Sequence, residues 1–108
     1  MPHIERRGSL YAVNFGVELK TDAVKASLPE LGFCPGNTDS IFSFRANTDW
    51  QRFVPMVALD SSIRHGEKEM VAFVPSAGDP WRIVLMPKEK PAPWKSDVWF
   101  ICKKVEPV

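Results

Sequence analysis

The chain has 108 residues, of which 44% are apolar and 25% charged, and its net charge is +1. That length fits one domain, and the balance is ordinary globular usage, which sets intrinsic disorder aside. The near-neutral charge argues against a dedicated duplex-DNA binder, whose surface carries a strong basic excess.

The opening MPHIERRG lacks the apolar run of a signal peptide, and no stretch reaches the roughly 18 apolar residues of a membrane span, so no membrane partner is expected. Residues 1–8 read as a frayed end of a single domain spanning 1–108. Cys34 and Cys102 are far apart and form no CxxC pair, which suits two reduced thiols in the cytoplasm better than a disulfide framework.

The first predicted element is a strand over 9–19, SLYAVNFGVEL. Tyr11, Val13, Phe15, Val17 and Leu19 alternate with smaller or polar neighbours at a period of two. TDAVKASL follows as a short helix. Val24, Leu28 and Leu31 recur at helical spacing, Thr21 is the expected N-cap, and Pro29 limits the length. GFCPGN (32–37) reads as a loop. SIFSFRA (40–46) reads as a second strand with Phe42 and Phe44 on one face.

Residues 47–62 favour a kinked or broken helix. Thr48 and Gln51 have capping-box spacing and Trp50, Phe53, Val54 and Val57 form a stripe, but Pro55 interrupts it. The alternative is the second strand of a hairpin turning at 47–49. EMVAFVP (69–75), WRIVLMP (81–87) and DVWFICKKV (97–105) read as three strands of an antiparallel meander, the first two joined by SAGD. The expected fold is therefore α+β, a mixed or antiparallel sheet of about five strands with two short helices. Residues 71–74 and 83–86 are apolar at both odd and even positions, as in a sheet covered on both faces. Two short helices on one face would leave the other open, so either the sheet curls toward a barrel or that face meets another copy or a partner, a homodimer being the commonest closed solution.

Chemical signatures are sparse. Neither a Gly-x-Ser-x-Gly elbow nor a phosphate-cradling glycine loop occurs, and no His/Cys/Asp grouping has metal-ligand spacing, so no catalytic residue, metal or cofactor is assigned. Cys34 in its Gly/Pro loop, or His65 in the polar turn RHGEKE, would be the residue at the mouth of any small-molecule pocket. The stronger signal is the C-terminal third, where five of the ten prolines fall between 75 and 93. From Arg82 to Lys104 the cations outnumber the carboxylates by four, and Trp81, Trp94 and Trp99 are interleaved. Arg82, Lys90, Trp94, Lys95, Trp99 and Lys103 are the candidate contact residues. Tryptophan among cations suits a protein partner, and it also suits single-stranded nucleic acid, whose bases stack on rings. A non-catalytic interaction protein (adaptor, inhibitor or immunity-type) is the function expected. The solvated loop PKEKPAPWK needs no tryptophan, so Trp94 must either plug the domain or meet a partner.

Overall fold

The computed structural model of the protein describes residues 2–78 and 82–105. Its order is β1 (His3–Arg7), β2 (Leu10–Asn14), α1 (Thr21–Glu30), β3 (Phe33–Pro35), α2 (Thr38–Arg45), a single 3-10 turn (Trp50–Phe53), β4 (Met56–His65), β5 (Lys68–Val74), β6 (Val84–Pro87) and β7 (Trp99–Lys104). This is an α+β fold with two helices and one mixed sheet, richer in strands than the expected five. The residues read as a frayed end form β1, which pairs antiparallel with β2 from His3↔Asn14 to Arg7↔Leu10.

The sheet runs β1-β2-β7-β4-β5-β6, so the expected C-terminal meander is half right. β5 and β6 are antiparallel neighbours, but β7 inserts in the middle of the sheet. One side of β7 pairs antiparallel with β2. Its other side is divided between β4, parallel at Met56↔Trp99 and Val57↔Phe100, and β3, antiparallel at Phe33↔Lys104 to Pro35↔Cys102. Gly36 fills the junction where β3 and β4 meet β7. Its amide donates to the Ile101 carbonyl at 2.8 Å, and its carbonyl accepts from the Asp60 amide at 2.9 Å. Opposite it, β4 bulges between Ala58 and Ile63. The Ser61 hydroxyl bridges that gap, donating to the Ala58 carbonyl and accepting from the Ala72 amide.

Two corrections concern helices. SIFSFRA is helical, not a strand. Asn37 caps α2 through a reciprocal box, its Oδ1 accepting from the Ser40 amide at 3.0 Å while Ser40 Oγ accepts from the Asn37 amide at 3.1 Å. Ile41 and Phe44 then face the sheet, while Phe42 is 53% exposed. Residues 47–62 hold only one 3-10 turn, which buries Trp50 and Phe53; after the cis Val54–Pro55 bond the chain becomes β4, whose residues 56–59 are all buried.

Both faces of the sheet are covered within the chain. On one, α2 and the 3-10 turn pack Ile41, Phe44, Trp50 and Phe53 onto Met56, Ala58, Ala72 and Ile101. On the other, α1 packs Val24 and Leu28 near Val57, Val71 and Phe100. Trp94, carried in from the proline-rich segment, completes that second layer. The helices sit on opposite faces, and the segment over 88–98 supplies what one helix could not cover. The apolar run over 71–74 is thereby accounted for inside one chain, while within 83–86 Leu85 stays 44% exposed.

Candidate functional site

The proline-rich segment leaves β6 at Pro87 and crosses the α1 face. Lys88 N–H still donates to the Glu69 carbonyl at 3.0 Å. Trp94 then makes a two-bond bridge with Leu19, its amide donating at 2.8 Å and its carbonyl accepting at 3.2 Å. Its indole Nε1–H donates to Thr21 Oγ1 at 2.9 Å, and that hydroxyl donates in turn to the Lys88 carbonyl. Thr21 is thus the first residue of α1 with its side chain spent on the segment, not the N-cap; Lys20 holds that position. The Trp94 ring lies near Phe73 and edge-on to Phe100, with centroids 5.9 and 6.3 Å away. At 2% exposure Trp94 is the plug of the domain.

A cleft of about 260 Å³ opens between this segment and the sheet. Its apolar wall is Phe73, Met86, Trp94 and Val98, with Pro55 at one end. Lys90, Lys95 and Asp97 bring charge to it. Lys90 Nζ lies 3.9 Å from the Trp94 ring centroid, a cation held against a π face. Its ammonium sits below the usual lysine range, first through burial and second through the charge of Lys95. A larger hollow of about 450 Å³ lies on the other side of Pro87, between Arg64 and Pro91. Its walls are Pro87, Pro91 and charges of both signs, including Glu67, Lys68 and Glu69, with no aromatic side chain among the lining residues described.

The six candidate contact residues do not form one surface. Lys90, Trp94 and Lys95 gather at the cleft. Trp99 lies on the opposite face, edge-on to Phe53 and His3 at 5.0 and 5.4 Å between centroids. Strand alternation puts Lys103 on that face too, beside the start of α2. Arg82 is exposed just ahead of β6. Trp94 and Trp99 therefore offer no shared stacking platform for bases, and Trp81 lies outside the described residues. What the sequence did not point to is the rest of the cleft wall: Phe73 and Met86 were read as anonymous strand positions, because pairing with the 90–98 segment carries no local signal.

Neither Cys34 nor His65 lines a hollow described above. His65 is exposed at the end of β4, and Cys34 is half-buried on β3. The pairings Cys34↔Lys103 and Pro35↔Cys102 send the two thiols to opposite faces, so they cannot bridge. Burial, with a smaller effect of Cys34, pushes the Cys102 thiol far above its usual range. A thiol reagent is expected to titrate Cys34 alone in the folded protein and Cys102 only in denaturant; equal early reaction of both would contradict this packing. Among the described residues no His/Cys/Asp/Glu group could hold a metal, and no helix is long and apolar enough to cross a membrane.

What fold and site together define is an α+β domain whose proline-rich segment closes one sheet face and leaves a cation-rimmed apolar cleft beside it. Compared with known proteins, the chain matches no family model, no curated protein and no solved structure.

Proposed function

We propose that the chain is a small interaction protein, of the adaptor, inhibitor or immunity type, that performs no chemistry of its own and engages a protein partner at the cleft rimmed by Lys90 and Lys95. The observation that carries this reading is the wall of Phe73, Met86, Trp94 and Val98 beneath two lysines. An apolar pocket takes a bulky side chain, and the cations above it select the charge of what surrounds that side chain. The pocket is backed by packed core, since Trp94 and Val98 belong to the buried layer on the α1 face, and a preformed wall favours affinity. The proposal assigns the chain to the cytoplasm, which two unbridged thiols suit.

The test is a photoreactive residue in place of exposed Lys95, irradiated in cells, with the adduct identified by mass spectrometry. One protein adduct should dominate, and it should fall about tenfold, 1.4 kcal/mol or more in binding, when Lys90 is reversed to Glu with the melting transition kept. An adduct indifferent to Lys90→Glu, or none above background, would defeat the reading. A labelled oligo-dT strand binding with a steep inverse salt dependence would replace it with nucleic-acid recognition.

A further inference from the structure

The two edges of the sheet are protected unequally. β1 carries His3, Glu5, Arg6 and Arg7, and Arg7 is tied by Nη2 to Asp49 at 2.6 Å, so charge and side-chain bonds guard that edge. β6 reads VLMP, with no charged side chain, and among the described residues it has a strand neighbour on one side only. Its register shows which groups stand open. The Lys88 amide bonds the Glu69 carbonyl, so in this antiparallel ladder the pairs 71/86 and 73/84 also exchange bonds, while Leu85 lies between them. The amide and carbonyl of Leu85 therefore face outward, and its side chain is 44% exposed. Pro87, which lacks an amide, falls at a position that needs no donor toward β5.

We propose that this edge takes an extended acidic segment of a partner protein as an added strand, a reading that rests on the cleft being a protein-binding site. Backbone bonds to Leu85 would hold the segment, and a bulky apolar side chain on the Met86 face would enter the cleft, which Met86 and Phe73 already line. Charge chooses the occupant. Arg82 precedes the strand, and Lys90 and Lys95 stand at the cleft with Asp97 as the one carboxylate in its lining among the described residues. Glu69 and Glu89 line the separate hollow beyond Pro87. A second copy is the poorer occupant, because antiparallel pairing of β6 with itself about Leu85 sets Arg82 of one beside Lys88 of the other.

The experiment uses the whole chain and a displayed library of ten-residue peptides, the strongest of which is synthesised as the probe. Enriched peptides should combine Asp or Glu with an aromatic or leucine residue. In the wild-type chain the probe should slow exchange of the Leu85 amide at least about tenfold while leaving β1 amides unchanged. Leu85→Pro, which removes an outward donor and no hydrogen bond to β5, should weaken the probe about tenfold with the melting transition preserved. Peptides that bind without protecting Leu85, with Lys90→Glu still abolishing binding, would overturn strand addition and leave the cleft reading standing. Basic or absent enrichment would overturn the acidic-segment proposal, and the adduct at position 95 would then decide the cleft reading by itself. A dimer that protects Leu85 without any peptide would overturn the proposal in favour of self-pairing.

Discussion

Replacing Trp94 with alanine is expected to destabilise the domain by about 3–5 kcal/mol, the range for emptying a large aromatic site in a packed core. The side chain is closed between Phe73, Phe100 and Lys90, and its indole N–H anchors the first turn of α1 through Thr21. Against a total stability of roughly 5–15 kcal/mol, such a loss takes a large share. Trp94→Phe keeps the benzene-sized part of the ring but deletes the donor, and should cost about 1–2 kcal/mol, from the lost bond to Thr21 and the space left by the smaller ring, while the Thr21 hydroxyl keeps its bond to the Lys88 carbonyl. Urea denaturation measures both. A midpoint for Trp94→Ala within error of wild type would mean that the segment over 88–98 is not part of the core. This ordering also governs how partner data are read: lost binding in Trp94→Ala reports on the fold, whereas Lys90→Glu and Lys95→Glu report on the cleft.

Gly36→Ala is expected to cost about 1–3 kcal/mol or more, although the change adds one methyl group. A Cβ there would sit 2.8 Å from the Ile101 carbonyl oxygen and 2.9 Å from Ser40 Cβ. Neither can yield cheaply, since that carbonyl accepts the Gly36 amide and Ser40 is fixed in the capping box of α2. Gly16→Ala is the useful contrast. Its Cβ would meet nothing within 4 Å, but its φ of +71° strains any other residue, so about 1 kcal/mol is expected. Thermal melts of the two variants should therefore rank Gly36→Ala below Gly16→Ala. The reverse order would mean that the junction of β3, β4 and β7 is looser than its hydrogen bonds imply.

Local chemistry was legible in the sequence where one element settled its own conformation. The helix over TDAVKASL follows from Val24 and Leu28, although it continues through Pro29 to Glu30, and the strand character of 69–74 from its β-branched and aromatic run. Phe42 and Phe44 misled because two aromatics at i and i+2 imitate a strand, while the signal that decides the matter, Asn37 and Ser40 three apart, is a cap written without the usual acidic partner. Residues 56–59 misled for another reason. A strand buried on both faces has no period to read, so a helical stripe fitted equally well. The position of β7 was beyond reach, because DVWFICKKV pairs with β2, β3 and β4, all more than forty residues earlier, and no local rule connects them. For the site, the lysines and Trp94 were found by composition, but their division between a plug and a rim needed the path of the 88–98 segment.

The place of β7 has a consequence for how the molecule assembles. The β1–β2 and β4–β5 hairpins each join neighbours in sequence, with turns of a few residues at Gly8 and Gly66. Nothing joins these halves into one sheet until residues 99–104 slide between them, pairing Lys103 with Leu10 across roughly ninety residues. Closure of that long loop carries an entropic cost that comes before the contacts that repay it. Until then, the inner edges of β2 and β4 face water with their backbone groups unpaired. The edges most exposed to competing partners during folding are therefore the two that β7 covers in the finished sheet.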